Sequence, residues 1–391
     1  MEKRAIMPDR PTPTTPRHYA PPSNAALALA DGRVFRGMAF GADTDAQGEV
    51  VFTTTMTGYQ EVASDPSFRG QIVCMTYPLI GNYGVNADDD ESRNPWIAGL
   101  IVREACTHPS YWRSIGPLDE YLKRYDIPGI SGIDTRALTR HIRSVGDTRA
   151  VIVHNTQAMT DEELVALAKQ APIPGEQDVV GEVQEREQIV WGEENTGPHV
   201  VVVDCGVKRN IIRSLLVRNA RVTVVPYGTH YDHIRDLDPD GVIVSPGPGD
   251  PANLDEGLDV VRAVLDDGRP YFGICLGHQL LARAIGAETS KLKFGHRGGN
   301  HPVMDERNGR VTITAQNHSY RVVDDSVPEI DGWKVALRNL NDQSVEGLAH
   351  ETMPVLSVQF HPEASPGPHD NGLLFDEFIG MMERRGVRTQ K

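Results

Sequence analysis

The sequence predicts an α/β protein in which an N-terminal α+β domain precedes a domain with a mostly parallel, doubly wound sheet. Two observations predict this division. Beyond residue 198, continuous Val/Ile runs alternate with segments of helical spacing, which is typical of parallel strands covered on both faces. Before residue 172, shorter strand-like runs are punctuated by Gly and Pro and interrupted by isolated helical segments.

The terminal and connecting segments set the remaining boundaries. Residues 1–22 contain six prolines and almost no large apolar side chains, so we expect a disordered tail. The α+β domain then spans 23–171. Seven acidic residues and one base lie between Glu176 and Glu194, which predicts a linker over 172–197. The second domain spans 198–391.

Charge and cysteine content exclude several classes of protein. The chain of 391 residues has 39 Lys+Arg and 54 Asp+Glu, a net charge of -15, so we expect neither nucleic acid nor an anionic membrane as the main partner. No apolar run approaches the roughly 18 to 20 residues of a membrane span. The four cysteines are far apart, which favours a reducing compartment and a cytoplasmic location.

The N-terminal elements follow from local pattern. Strands are predicted at 25–30, 34–35, 50–55 and 71–77. Helices are predicted at 118–125 and 134–143, the second with Asp134 as its N-cap.

In the second domain, strands are predicted at 199–203, 222–225 and 241–244, with helices at 210–218 and 254–265. A fourth parallel strand ends just before residue 275. Further strands at 311–315, 333–337 and 355–360 precede a final helix at about 372–382.

The fourth strand ends in Gly-Ile-Cys-Leu-Gly at residues 273–277, and helical spacing resumes immediately. A nucleophile flanked in this way by glycines sits on a sharp strand-to-helix turn with its side chain exposed, which is a nucleophile elbow. The helix N-terminus also favours a thiolate. Cys275 is therefore the candidate nucleophile.

A cysteine nucleophile needs a base and a group that orients the base. His361 and Glu363 follow a predicted strand directly, and Pro362 between them limits the backbone. For the oxyanion, one donor is the amide of Leu276, and a second can come from the loop Ser-Pro-Gly-Pro-Gly-Asp-Pro at residues 245–251.

Non-catalytic interpretations apply to several of these residue types. Cys74, Cys106 and Cys205 are expected to be small buried side chains. The glycine loop alone can be an ordinary turn or a phosphate cradle, but it lacks the Gly-Lys-Ser/Thr of a nucleotide-binding loop. A metal cluster of His301, His318, His361 and His369 has no recurring ligand spacing to support it, so we predict no metal ligands.

Three of these segments, at residues 245–251, 273–279 and 361–363, resemble the signatures of class I, triad-type glutamine amidotransferases. The resemblance implies a class I glutamine amidotransferase domain. It also implies glutamine hydrolysis, in which Cys275 attacks the side-chain amide, ammonia leaves and water resolves a glutamyl thioester. The catalytic triad would be Cys275, His361 and Glu363.

Further segments, at residues 52–61, 81–84, 132–136, 293–302 and 361–369, resemble the small, glutaminase subunit of carbamoyl phosphate synthetase. This resemblance covers nearly the whole chain except the tail and the linker. The positions that match glutamine-contacting residues of the family are Thr55, Gly247, Gly249, Leu276, Gln279 and Asn317. Two departures are Thr55, where serine is common, and Ser319-Tyr320, where Gly-Phe is common. Thr55 keeps the hydroxyl, and Ser319 and Tyr320 are expected to contact glutamine through their backbone.

The same resemblance implies a partner. Ammonia would pass through a tunnel to a large synthetase subunit, which would use bicarbonate, ATP and Mg²⁺ to make carbamoyl phosphate for arginine and pyrimidine biosynthesis. No cofactor is expected in this chain. The alternatives are another class I amidotransferase, a free-standing glutamyl hydrolase, and a non-catalytic docking or regulatory subunit.

Overall fold

The computed structural model describes residues 23–176, 179–328 and 332–389. The predicted tail at 1–22 lies outside the described residues. Within the described ranges, none of the helices combines the length and the apolar character that a membrane crossing requires.

The N-terminal region alternates short strands and helices. Its strands are β1 (Ala25–Leu29), β2 (Val34–Gly41), β3 (Ala46–Thr53), β4 (Gln71–Met75), β5 (Leu79–Ile80), β6 (Gly99–Ile101), β7 (Glu104–Ala105), β8 (Pro128–Ser131) and β9 (Thr148–His154). Its helices are α1 (Tyr59–Ser64), α2 (Leu118–Arg124), α3 (Thr135–Val145) and α4 (Asp161–Ala168). The Asp134 side chain accepts a hydrogen bond from the amide of Ala137, which confirms the predicted N-cap.

Most of these strands close into a barrel in the order β1-β2-β8-β6-β4-β3-β9. The pairs β3/β4, β4/β6 and β6/β8 are parallel, whereas the pairs that involve β1, β2 and β9 are antiparallel. Leu27, Ile72 and Ile152 are among the fully buried side chains of its core. The α+β prediction is confirmed, but closure into a barrel depends on strand neighbours that local pattern does not specify.

The segment predicted as a linker contains α5 (Val180–Val183) and β10 (Ile189–Trp191). Strand β10 pairs antiparallel with a strand of the second region and forms the edge of its sheet. The predicted domain boundaries themselves stay a prediction.

The second region begins with a parallel α/β unit and continues into long antiparallel strands. Its strands are β11 (His199–Asp204), β12 (Arg221–Pro226), β13 (Gly241–Val244), β14 (Tyr271–Ile274), β15 (Thr289–Asp305), β16 (Arg310–Val322), β17 (Trp333–Asn339), β18 (Val345–His350) and β19 (Val355–Val358). Its helices are α6 (Arg209–Leu216), α7 (Tyr231–Asp236), α8 (Asp255–Asp266), α9 (Leu276–Ala284) and α10 (Leu373–Thr389).

These strands form one sheet in the order β10-β12-β11-β13-β14-β19-β18-β17-β15-β16. The section from β12 to β19 is parallel, and the section from β19 to β16 is antiparallel. Val201 and Val203 of β11 pack in one core layer with α8 and α9, while Val200 and Val202 pack in the other with α6 and α10. Burial on both faces explains the continuous apolar runs in the sequence.

Three chain segments meet at the carboxyl edge of the parallel strands. Residues 245–251 follow β13, Cys275 follows β14, and residues 359–363 follow β19. Because β14 lies between β13 and β19, the sheet brings all three together.

Candidate active site

The turn between β14 and α9 has the geometry of a nucleophile elbow. Cys275 has φ 51° and ψ -99°, a conformation that L residues rarely adopt. A Cβ atom on Gly273 would lie 2.7 Å from the backbone of Gly277, and one on Gly277 would overlap the carbonyl oxygen of Val244. Both glycines are therefore required by the close approach of α9 to the sheet.

The Cys275 thiol is buried and has polar neighbours from two strands. Its Sγ atom lies 3.6 Å from Nε2 of Gln359, which donates toward it, and 3.7 Å from the backbone oxygen of Asn317. Gln279 supports this arrangement, because its Nε2 donates to Oε1 of Gln359 at 3.1 Å and to the carbonyl oxygen of Tyr320 at 2.9 Å. The sulfur atom is thus held among amide groups that are themselves fixed.

His361 and Glu363 are both buried, and the His361 side chain interacts with the Cys275 side chain. Nδ1 of His361 is 2.7 Å from Oε1 of Glu363, which fixes the ring through that nitrogen. The other nitrogen, Nε2, makes no hydrogen bond to any described residue. Nζ of the buried Lys208 lies 3.1 Å from the same Oε1 atom.

The surroundings shift the pKa values of this pair in opposite directions. Burial opposes protonation of His361, but the Glu363 carboxylate and the Cys275 side chain raise the pKa of the imidazole above its usual value. Burial opposes ionisation of Glu363, but Lys208 and then His361 lower the pKa of that carboxyl below its usual range. The imidazole can therefore hold a proton while the carboxylate stays charged.

A cleft opens beside Cys275. It is lined by most of the residues predicted to bind substrate, namely Gly247, Gly249, Gln279, Asn317, Ser319 and Tyr320. The N-terminal barrel supplies part of its wall through Glu49, Ser67 and Gln71. Glu49 accepts from Nε2 of Gln71 at 2.9 Å and from Nζ of Lys291 at 2.6 Å, so this wall crosses between the two regions.

The predicted oxyanion donors have a suitable backbone. Leu276 is the first residue of α9, and the first amides of a helix have no partner within it. The Leu276 side chain itself is buried in the core. Gly247 lies against the carbonyl of Cys205 with no room for a Cβ atom, and Gly249 has φ 95°.

Thr55, Leu276, His361 and Glu363 do not line the cleft. Thr55 lines a neighbouring small chamber together with Asp65, Lys208, Asn317 and His361. Its Oγ1 atom is 2.9 Å from Oγ1 of Thr53. Asn317 lines both the cleft of Cys275 and this chamber, so it lies between them.

Ser319 and Tyr320, which stand where Gly-Phe is common, have different environments. The Ser319 hydroxyl accepts a hydrogen bond from the guanidinium of Arg297. Tyr320 uses its backbone oxygen to accept from Nε2 of Gln279, while its side chain borders the cleft.

Sequence reasoning missed Lys208, Gln359 and Asp65. Lys208 closely follows the carboxyl end of β11, and Gln359 precedes the His-Pro-Glu segment, so position relative to a strand end was an available signal for both. Asp65 accepts a hydrogen bond from Nδ2 of Asn317 at 2.8 Å across 252 positions of sequence. No local pattern could have indicated that contact.

Comparison with known proteins agrees with this geometry. Residues 27–152 match the family described as carbamoyl-phosphate synthase small chain, CPSase domain, and residues 201–381 match glutamine amidotransferase class-I. The carbamoyl phosphate synthase small chain of Syntrophotalea carbinolica is 50% identical, covering 92% of this chain and 98% of the relative.

Two further relatives have comparable similarity. The carbamoyl phosphate synthase pyrimidine-specific small chain of Halalkalibacterium halodurans is 52% identical, covering 93% of this chain and 98% of the relative. The carbamoyl phosphate synthase small chain of Archaeoglobus fulgidus is 48% identical, with coverage of 92% and 98%.

Proposed function

Because the chain belongs to the carbamoyl phosphate synthase small chain family, we propose that it is the glutaminase subunit of that synthase. It hydrolyses the side-chain amide of L-glutamine and supplies ammonia to a large subunit. The observation that carries the proposal is the Cys275 elbow beside a His361 ring whose Nδ1 is held by Glu363.

In the first half of the reaction, Nε2 of His361 takes the thiol proton and Sγ of Cys275 attacks the amide carbon of glutamine. The negative charge that develops on the amide oxygen is stabilised by the amide of Leu276 and by an amide of the loop at 245–251. His361 then gives its proton to the amide nitrogen, the C–N bond breaks, and ammonia leaves a glutamyl thioester.

In the second half, His361 takes a proton from water, whose oxygen attacks the thioester carbon. The C–S bond breaks, the proton returns to the sulfur, and glutamate is released. Glu363 holds the ring and stabilises the imidazolium in both halves, with Lys208 keeping the carboxylate charged. Gln279, Asn317, Ser319 and Tyr320 position glutamine in the cleft.

Ammonia leaves the cleft through the chamber that Thr55, Asp65 and Lys208 line. Support comes from Asn317, which lines both the cleft and the chamber, and from the walls of the chamber, which belong to both regions of the chain. From there ammonia enters the large subunit. That partner uses bicarbonate, ATP and Mg²⁺ to form carbamoyl phosphate in the cytoplasm, for arginine and pyrimidine biosynthesis.

The test uses the chain assembled with its cognate large subunit and glutamine labelled with ¹⁵N in the side-chain amide. Label should appear in carbamoyl phosphate and disappear with Cys275→Ala, while synthesis from added ammonium persists. Cys106→Ala, which removes another free cysteine, is the matched control and should retain label transfer.

Two other outcomes would overturn the proposal. Label transfer that survives Cys275→Ala would identify a docking subunit without catalytic function. Rapid glutamine hydrolysis with no label in carbamoyl phosphate would identify a free-standing hydrolase. Another class I amidotransferase is not favoured, because residues 27–152 match the small-chain domain.

A further inference from the structure

A buried cluster of two imidazoles and one carboxylate lies behind Asn317. His296 on β15, His318 on β16 and Glu346 on β18 each direct one possible ligand atom into it, and these atoms lie within 4.8 Å of one another. All three side chains are at least nine-tenths buried. None of them belongs to the triad.

The hydrogen bonds of the two histidines leave lone pairs that point into the cluster. Nε2 of His296 is 3.0 Å from Oδ2 of Asp342, an acceptor that fixes the proton on that nitrogen. Its Nδ1 has no hydrogen-bond partner among the described residues and lies 3.8 Å from Oε1 of Glu346. That separation is too long for a hydrogen bond.

In His318, Nδ1 is 2.7 Å from the carbonyl oxygen of Tyr320, which fixes the proton there. The lone pair of Nε2 then faces Oε1 of Gln316 at 2.9 Å, and both atoms are acceptors. Exchanging the oxygen and nitrogen of the Gln316 amide would only move this conflict, because Nε2 of Gln316 donates to the Glu346 carboxylate at 2.9 Å and an oxygen in its place would face that carboxylate. Two lone pairs and a buried anion thus face one another.

We propose that His296 Nδ1, His318 Nε2 and Glu346 bind a divalent first-row transition-metal ion such as Zn²⁺, with Oε1 of Gln316 beside it. Imidazole and carboxylate are ligands that zinc takes at about 2.0 to 2.2 Å. The outer contacts match those that metal-bound histidines make, namely a carboxylate for His296 and a backbone carbonyl for His318. Ligand atoms of a tetrahedral zinc site lie about 3.4 Å apart, so atoms separated by as much as 4.8 Å must close by about 1.4 Å on binding.

The ion would join three strands behind the cleft. Gln316 and His318 flank Asn317, whose backbone oxygen contacts Sγ of Cys275 and whose side chain binds Asp65. A metal at this place holds the strand that carries Asn317, so its role is structural and it takes part in no step of glutamine hydrolysis.

These three proposed ligands differ from the four histidines, His301, His318, His361 and His369, for which the sequence shows no ligand spacing. Only His318 is common to both groups. Glu363 engages His361 instead, and the ring centroid of His301 lies 5.2 Å from that of His296. Strand pairing, not sequence spacing, brings His296, His318 and Glu346 together.

A proton on Nδ1 of His296 competes with the metal ion for this site. Burial lowers the pKa of His296, but hydrogen bonds and charge from Asp342 and Glu346 outweigh it and raise the pKa to about 9. Glu346 already accepts from Nε2 of Gln316 and from Nδ2 of Asn339, and a second proton on Nδ1 of His296 would balance its charge without a metal ion. Metal binding and this protonated state exclude each other, so they can be separated by experiment.

The experiment uses the full chain without a polyhistidine tag, purified in buffers free of chelator and analysed by mass spectrometry for metals. We expect about one equivalent of a divalent transition metal. After removal of this metal, titration with Co²⁺ should give visible absorption bands. His296→Asn and Glu346→Gln should abolish both signals, and Asp342→Asn should weaken Co²⁺ binding about 10- to 100-fold.

Asp342 lies at the edge of the cluster, so its variant tests the site even where the other two variants fold poorly. The matched control is His301→Asn, which removes an imidazole from the same hairpin and should keep one equivalent. Wild-type chain that holds no metal and gives no Co²⁺ spectrum would overturn the proposal in favour of the proton. Equal metal content in wild type and Asp342→Asn, with unchanged Co²⁺ affinity, would also overturn it.

Discussion

The barrel and the parallel sheet face each other across the cleft with different chemistry. The sheet carries the proposed nucleophile Cys275 and the proposed base His361 just after the carboxyl ends of its strands. The N-terminal region, on its barrel strands and on the segments between them, presents acidic side chains that bind residues of the other region: Asp65 binds Asn317, Glu49 binds Lys291, and Glu91 pairs with Arg213 at 3.0 Å. In the proposed mechanism, residues of the second region make and break the bonds, and the N-terminal region holds the residues around the cleft in position.

This difference between the two regions predicts how large the effect of a substitution in each will be. Changes on the sheet side of the cleft should remove catalysis or disrupt buried charge. Changes on the barrel side should shift substrate binding by smaller factors.

The largest effect is expected from His361→Asn. Without the imidazole, no group can take the Cys275 proton or give one to the leaving nitrogen, so kcat for glutamine hydrolysis should fall about 10²- to 10⁴-fold. Steady-state glutaminase assays measure this. His369→Asn, an exposed histidine on the same segment, is the control. A fall of less than about threefold for His361→Asn would remove this residue from the proposed triad.

The next effect concerns buried charge. Lys208→Met leaves Glu363 buried without its cation, which should lower the free energy of unfolding by about 3 to 5 kcal/mol. Adding Glu363→Gln should recover part of this loss, because the uncompensated anion is gone. Denaturant titration of the single and double variants measures both, with Lys334→Met as the exposed control. Strictly additive losses in the double variant would contradict the charge pairing.

The third effect is a dependence of stability on pH. Burial lowers the pKa of His278, in the elbow helix, to about 3. Between pH 6.5 and 3 the unfolded chain binds a proton at this residue that the folded chain excludes, so stability falls as the pH falls. The slope from this residue is about 1.4 kcal/mol per pH unit.

His278→Gln should therefore flatten the pH dependence of unfolding between pH 6.5 and 4, whatever its effect at neutral pH. His369→Asn serves as the control with an exposed histidine. Parallel pH profiles for wild type and His278→Gln would show that His278 gains a proton in the folded state as easily as in the unfolded one.

The same comparison explains how far the sequence could predict the molecule. The parallel strands could be predicted from the sequence because burial on both faces of the sheet selects uninterrupted Val/Ile runs, as in β11. Cys275 could be predicted because the elbow is a local constraint on Gly273 and Gly277.

Barrel closure, Asp65 and Lys208 could not be predicted in this way. They depend on contacts between segments that are distant in the sequence, and nothing in the local sequence distinguishes a buried lysine from an exposed one. Thr55 lines the neighbouring chamber, a placement that its motif does not indicate, and its contact with glutamine stays a prediction.

The smallest effect tests the barrel directly. Asp65→Ala removes the acceptor for Nδ2 of Asn317, and a hydrogen bond to a charged group contributes about 1.5 to 3 kcal/mol. Because the Asp65 side chain binds Asn317 and makes no hydrogen bond to Cys275 or His361, KM for glutamine should rise about tenfold while kcat changes less than threefold. Asp65→Asn keeps an acceptor oxygen and should recover most of the affinity, and Asp43→Asn, exposed on the barrel, should match wild type. A fall in kcat as large as that of His361→Asn would instead show that Asp65 takes part in catalysis, which would contradict a purely positioning role for the N-terminal region.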